Sequence, residues 1–502
     1  MNFITLTLLL VYQVHGLSFP KCFKFGFATA SYQIEGGWNA SGKGPNIWDW
    51  YTHTYPTRIA DLTNGDVACD SYHKVATDVK LLKNIKADFY RFSISWARIF
   101  PTGQTNNINP DGVRYYNELI NLLLANNIKP VRIISLIMPI KYFPYSGIVS
   151  KPGSPSTNLP KSDYFVDYAD KVFSLFGDRV KTWITFNEPS QICEFGYSNG
   201  AIAPGYTQLG IGNYMCGRTL LIAHAKAYRL YEKKYKQLQK GFIGMTVHAV
   251  WFEPAAEGKT YAEAAEISLQ FMFGWWEHPI YKGGYPPVMR KRINYLSAQQ
   301  NFTKSRLPYF TKDEIKLIKG TADFLGLNHY TSFLCSALDS GAVQSPLMNP
   351  DTNVTCYQPS SWKRGASIWI KVTPWGFRKI LNWIKKEYGN PKVLVTENGY
   401  SDKGELQDCN RVNFLNDYLT ELLNAIKKDG CNVQGYAVWT LMDNFEWGSG
   451  YTERFGLFYM NPSDPNRARI PKMSAYVLRN IIKTRKIDTT FTPQGFKACP
   501  AS

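Results

Sequence analysis

Eight short β-forming runs recur along the 502-residue chain, each followed by a segment long enough for a helix, and this alternation limits the possible folds more than any other feature. The runs are Phe23 to Ser31, Phe89 to Ser95, Pro130 to Ile137, Val180 to Phe186, Phe242 to Phe252, Asp323 to Asn328, Lys392 to Thr396 and Val433 to Thr440. Between them, apolar residues step at helical period. Val113, Tyr116, Ile120 and Leu123 make one stripe, Phe165, Tyr168, Val172 and Phe176 a second, and Val412, Leu415, Leu419, Leu422 and Ile426 a third. Parallel strands need a crossover between them, and eight strand–helix units are the number that closes an α/β chain into a single (β/α)8 barrel. No repeat, low-complexity tract or composition break divides the chain, so residues 17–502 are expected to form one barrel domain. A hydrophobic content of 44% supplies its core, and an aromatic content of 15% leaves rings over for a pocket.

Barrels of this kind carry their chemistry at the C-terminal ends of the strands. The fourth run ends abruptly in Asn187, Glu188 and Pro189. By itself this is also what an ordinary strand exit looks like. The seventh run, however, delivers a second carboxylate, Glu397, in Val395-Thr396-Glu397-Asn398-Gly399. Two carboxyl groups at the ends of the fourth and seventh strands are the minimum equipment for cleaving a glycosidic bond: one protonates the leaving oxygen, and the other attacks the sugar or activates water. Arg91, inside Tyr90-Arg91-Phe92-Ser93, must be paired if buried, and a carboxylate beside it would be held ionised. Asn328-His329-Tyr330 closes the sixth run, and Trp439 to Trp447 closes the eighth. Aromatic faces interspersed with amides and carboxylates suit a sugar, whose C–H groups stack while its hydroxyls need partners. The stretch Leu334 to Ser367, rich in Pro and Gly, is expected to be an irregular loop at the rim.

Taken together, FGFATASYQIEGGWNASGKGPNIWD, GDVACDSYHK, FYRFSISWARIFP, ITFNEP, GTADFLGLNHYTS, VTPWGFRKILNWI, VLVTENGYSD, WTLMDNFEWGSGYTERFGL and PKMSAY make the chain resemble glycoside hydrolase family 1, the β-glucosidase family, over nearly all its length. The resemblance implies a retaining β-glycosidase on a single barrel, acting without cofactor or metal on a small-molecule glycoside. It places Glu188 as acid/base and Glu397 as nucleophile, with Arg91, Asn187, Asn328 and Tyr330 around them. Gln33, Trp439, Glu446 and Trp447 match the family's grip on the glycone, and Trp369 the aromatic wall of the aglycone site. Plant thioglucosidases of the family replace the acid with glutamine, whereas this chain keeps Glu188. One departure stands out. The family's third strand ends in a His-Trp-Asp-Leu-Pro type segment whose His and Trp bind the O3 side of the sugar, and here Leu136 and Ile137 take their places. The resemblance with this departure implies altered glycone recognition. It leaves open a different glycone, a non-sugar substrate, or non-hydrolytic binding of an apolar ligand. Strand alternation puts Arg132 on the same face as Leu136, which would turn it into the barrel unless the register changes.

Residues 1–16, with an apolar run from Ile4 to Val14, are too short to span a bilayer and are expected to be a secretory signal peptide. The sequons at Asn39, Asn301 and Asn353 fit a secreted, extracellular glycoprotein. Nine cysteines show no metal-ligand spacing. In an oxidising compartment some are expected to pair, with at least one left over. The net charge of +18 is spread along the chain with no nucleic-acid-binding motif beside it, so neither a nucleic-acid nor a membrane partner is expected. Neither the cysteine pairing nor the oligomeric state is legible at this level.

Overall fold

The computed structural model describes residues 17–135, 162–337 and 350–500. The eight runs pair edge to edge in a closed parallel barrel: β1 (Lys24–Ala28), β2 (Phe89–Ser93), β3 (Lys129–Ser135), β4 (Thr182–Asn187), β5 (Phe242–His248), β6 (Phe324–Asn328), β7 (Val393–Glu397) and β8 (Val433–Trp439). Each strand neighbours the next in chain order, and β8 closes on β1, with Phe25 opposite Tyr436 and Ala28 opposite Trp439.

Period-two alternation sorts each strand between two cores. Ala28, Phe89, Val131, Ile133, Ile184, Phe324 and Ala437 cluster in the bore. Their strand neighbours Phe27, Tyr90, Phe92, Ile134, Trp183, Leu325 and Val438 join the larger core between the barrel and its helices. The three apolar stripes lie on the helices Pro110–Ala125, Ser162–Phe176 and Cys409–Lys427, and they bury Tyr116, Ile120, Leu123, Tyr168, Val172, Phe176, Leu415, Leu419 and Leu422 completely. Each such side chain contributes about 1.5–3 kcal/mol. A helix of this length, marginal in water by itself, is thus held by its packing face. Asn109 starts the first of these helices by accepting a hydrogen bond from the Asp111 N–H, with Pro110 in the first turn.

Three expectations change. The first strand stops at Ala28, and Ser31 opens a short helix, Ser31–Ile34. The fifth does not run to Phe252: it ends at His248, and Trp251–Pro254 forms a separate strand. That strand pairs with Ser332–Ala337, which in turn pairs antiparallel with Val354–Tyr357, making a three-stranded sheet across the rim where an irregular stretch was expected. These strands are only four to six residues long, and their pairing is between distant segments, so no local pattern announces them.

Arg132 faces outward. Val131 and Ile133 line the bore, and the guanidinium lies in the helix layer over the rings of Phe176 at 4.1 Å, Phe92 at 5.0 Å and Tyr116 at 5.2 Å. Full burial brings its pKa down to about 9. No carboxylate among the described residues pairs with it directly, and the aromatic faces supply the close attraction.

Cys193–Cys216, Cys335–Cys356 and Cys409–Cys499 are disulfides, while Cys22, Cys69 and Cys431 remain thiols. Among the described residues, no helix is long and apolar enough to cross a membrane. The expected signal peptide (residues 1–16) and the positions Leu136 and Ile137 lie outside the described residues.

Candidate active site

At the C-terminal mouth of the barrel, a cavity of about 450 Å3 gathers Gln33, Arg91, Asn187, Glu188, His248, Tyr330, Trp369, Glu397, Trp439, Glu446 and Trp447. This volume is in the range that encloses a small ligand. Of the eleven side chains expected from sequence to work on a glycoside, ten line this cavity, and the eleventh, Asn328, acts from behind the wall through its hydrogen bonds.

Local backbone puts the two carboxyl groups there. Glu188 follows β4 with left-handed dihedrals (φ 48°, ψ 58°) and starts the short helix Pro189–Gln191. A non-glycine residue in that region carries a strain on the order of 1–3 kcal/mol. The proline next to it cannot extend the strand. The pairing of β4 with β5 shifts register between Ile184 and Asn187, and that of β6 with β7 shifts between Val395 and Glu397. Such irregularities re-aim side chains at a sheet's rim. Beyond Glu397, a side chain at Gly399 would place its Cβ 1.9 Å from the Trp439 carbonyl oxygen, so glycine permits β7 and β8 to approach where they leave the barrel.

A continuous polar network joins the two carboxyls. Arg91 Nη1 lies 2.6 Å from Oε1 of Glu397, and Tyr330 donates its hydroxyl to Oε2 at 2.7 Å. The other terminal nitrogen of Arg91 donates to Oδ1 of Asn187. Asn328 donates from Nδ2 to the same Asn187 oxygen at 3.1 Å and to Oε1 of Glu188 at 2.7 Å, while its own Oδ1 accepts from the Thr396 hydroxyl at 2.7 Å.

Burial raises the Glu397 carboxyl, opposed by the charge of Arg91 and the hydrogen bonds of Arg91 and Tyr330, and the nearby Glu188 charge raises it further. Glu188 is pushed up by burial too, but His248, Asn328 and Arg91 together bring it below the ordinary glutamate value. Tyr330 is raised well above a normal phenol by burial and by the two carboxylates, so it stays a donor.

On one side of the pair, Gln33 Nε2 donates to the Asn444 Oδ1 at 3.1 Å, the Phe445 carbonyl at 3.0 Å and Glu446 Oε2 at 3.3 Å. Its Oε1 is buried and has no partner among the described residues. A buried amide oxygen left open costs about 1–3 kcal/mol, and a ligand hydroxyl would satisfy it. Glu446 is raised well above the ordinary carboxylate range by burial and by the charges of Glu453 and Glu397, and Trp439 hydrogen-bonds to it. Trp447 packs on Trp48 with ring centres 4.7 Å apart, and the ring of Trp369 stands 5.4 Å from that of Tyr330.

His248 and Glu453 also line the cavity, and sequence reasoning did not single them out. His248 was hidden because the fifth run was taken to continue through it. Its Nδ1 lies 3.4 Å from Oε1 of Glu188. Glu453, which accepts from Ser367 Oγ and from Ser449 Oγ at 3.2 Å, sits in a loop with no local signal. Asn39, Asn301 and Asn353 are all exposed at the surface, away from the cavity lining. Among the described residues, no group of three or more His, Cys, Asp or Glu is placed to hold a metal ion.

Comparison with known proteins identifies the family. A sequence model of glycosyl hydrolase family 1 matches residues 15–487. Over 471 residues the chain is 48% identical to Myrosinase 1 of Brevicoryne brassicae, covering 93% of this chain and 99% of that protein. It is 46% identical over 471 residues to the lactase/phlorizin hydrolase of Rattus norvegicus, where it covers 93% of this chain but spans only 24% of that protein. Among solved structures, an aphid myrosinase superposes with a TM-score of 0.89 at 48% identity, covering 93% of this chain and 100% of that one. The rice β-glucosidase Os3BGlu6 superposes with a TM-score of 0.84 at 37% identity, covering 92% and 99%.

Proposed function

Since the chain belongs to glycosyl hydrolase family 1, and is thus an O-glycosyl hydrolase, we propose that it is a secreted β-glycosidase hydrolysing a small β-glucoside-like molecule by double displacement. The observation that carries this reading is the unequal treatment of the two carboxyls: Glu397 is gripped by Arg91 and Tyr330, and Glu188 is held only through one oxygen. Glu397, ionised beside Arg91, attacks the anomeric carbon as Glu188, carrying the proton of the pair against the neighbours that favour its carboxylate, gives that proton to the departing oxygen. Glu188 then takes a proton from water as that water's oxygen displaces Glu397, so the anomeric configuration is retained. Binding of the sugar hydroxyls to Gln33 and Glu446, with Trp439 and Trp447 along the ring, places the anomeric carbon over Glu397. Trp369 flanks the leaving group.

A fluorosugar with a good leaving group should label Glu397, and Glu397→Gln should lose hydrolysis of every substrate. Unchanged turnover by that variant overturns the mechanism. A panel of aryl β-glucosides, galactosides, fucosides and thioglucosides identifies the glycone. If none is cleaved and Glu397 takes no label, the protein is a binder of another ligand on this barrel.

Altered glycone recognition is part of the same proposal. With Leu136 and Ile137 where the family pattern has His and Trp, a 3-deoxy glucoside should be cleaved within about tenfold of its parent, because neither aliphatic side chain can hydrogen-bond that hydroxyl. A much larger loss argues for an ordinary glycone site.

Secretion and glycosylation are supported by three exposed sequons and three disulfides. Recovery from culture medium of a chain lacking its first 16 or so residues and bearing glycan at Asn39, Asn301 and Asn353 is the expected result, and an intracellular, unglycosylated product the contrary one.

A further inference from the structure

The double displacement assigns no part to His248, yet this side chain is 5% exposed and lines the cavity beside the acid/base. It is the last residue of β5, paired in register with Asn328. Its Nδ1 and the Asn328 amide both approach the same atom, Oε1 of Glu188, at 3.4 and 2.7 Å. Oε2 is left without a hydrogen-bond partner among the described residues. Two rings confine the imidazole: Tyr330, nearly parallel with centres 6.4 Å apart, and Trp369, edge-on at 6.2 Å. The Nδ1 contact is close without the alignment of a hydrogen bond.

We propose that His248 is a positioning residue for Glu188: with Asn328 it pins Oε1, turns Oε2 toward the glycosidic oxygen, and meets the charge left on the carboxylate after the proton has gone to the leaving group. The proposal rests on Glu188 being the acid/base. No proton is created or lost: the one on Oε2 passes to the glycosidic oxygen as its bond to the anomeric carbon breaks, and water returns one in the second step.

The groups facing His248 leave Glu188 as its main electrostatic partner. Tyr330 stays a neutral phenol, and His329, from the same strand end as Tyr330, is held neutral by burial with its pKa lowered to about 3 and its Nδ1 on the Ala249 carbonyl. Arg91 and Glu397 act beyond Glu188, already paired with each other. After burial, which acts in the opposite direction, the interaction with His248 is the largest influence on the Glu188 carboxyl, and it favours the carboxylate.

The test compares His248→Asn and His248→Gln with the unaltered enzyme, measuring kcat/KM against pH on phenyl and 2,4-dinitrophenyl glycosides of the preferred sugar. The phenyl compound needs a proton on departure and the dinitrophenyl compound does not. Both variants should lose at least about tenfold more activity on the phenyl glycoside than on the other. The alkaline limb of the phenyl profile should move up by about half a pH unit or more, because the influence favouring the carboxylate is gone. An equal loss on both substrates with an unmoved limb reduces His248 to packing and overturns the proposal, as does no change at all. Fluorosugar trapping through the dinitrophenyl leaving group shows that each variant is folded and its nucleophile intact. Glu188→Gln serves as the control: if it treats the two glycosides alike, the acid assignment itself has failed, whereas if it discriminates and the His248 variants do not, only the inference about His248 falls.

Discussion

Arg91 Nη1 lies 2.6 Å from Oε1 of Glu397, with the arginine side chain 1% and the glutamate side chain 7% exposed. The two come from β2 and β7, strands that are not neighbours in the barrel, so the pair spans the bore. The rigid fork of the guanidinium lets its second nitrogen reach Asn187 at the same time. One cation thereby ties the strand end that carries the nucleophile to the one that carries the acid.

Replacing Arg91 with lysine keeps a charge but loses the fork. Breaking a buried pair of this kind costs about 3–5 kcal/mol, so kcat/KM should fall by roughly 10²-fold or more. Arg91 lowers the Glu397 carboxyl against burial. A nucleophile must be ionised, so weakening that influence should shift the acidic limb of kcat/KM to higher pH. A pH–rate profile of Arg91→Lys with the limb in its original place would contradict the pairing.

Tyr330→Phe removes only the hydroxyl that donates to Oε2 of Glu397 at 2.7 Å. Hydrogen bonds to charged groups contribute about 1.5–3 kcal/mol. An equivalent loss of about 10- to 100-fold in kcat/KM is expected, with little change in thermal stability because the ring remains packed between His248, Trp369 and Phe455. Steady-state kinetics and a melting curve on the same preparation check both halves.

Glu277, in the helix Trp275–Tyr281, is fully buried with Oε1 unpartnered among the described residues, and burial alone pushes its pKa up to about 8. Unfolded, the group titrates near 4.5. The folded state therefore holds a proton that the unfolded state releases, and stability is lost progressively as pH rises from about 4.5 to about 8, then levels off. Glu277→Leu should melt higher than the unaltered protein, and the difference should widen across that window to a few kcal/mol, on the order of 1.4 kcal/mol per pH unit. A gap that is constant with pH would mean that the carboxyl is not titrating.

The Cys409–Cys499 bridge closes a 90-residue separation and ties the last described segment to the helix Cys409–Lys427. Exchanging both cysteines for serine should cost about 2–4 kcal/mol. It should not alter KM, since neither residue lines the cavity. Thermal unfolding of the double variant beside the unaltered protein, both without reductant so that the other two bridges stay closed, checks the loss.

The barrel was legible because its evidence is local. Eight β-rich runs, three apolar stripes at helical step and two glutamates at strand ends each follow from residues a few positions apart, and the period of two or of 3.6 converts them directly into faces. The rim sheet, the outward turn of Arg132 and the place of His248 are different in kind. Trp251–Pro254, Ser332–Ala337 and Val354–Tyr357 are too short to announce themselves and exist as a sheet only through one another. Arg132 is tolerable only where Phe92, Tyr116 and Phe176, from one strand and two helices, bring three rings around it. His248 reads as the middle of a strand until the strand is seen to end there, 3.4 Å from Glu188. By itself the sequence determined the architecture and the two carboxyls, because both are written at short range. Which oxygen is pinned, which cation crosses the bore and which histidine stands beside the acid were decided only when segments up to 300 or so residues apart met in the folded chain, where burial removes water and makes each of those contacts count.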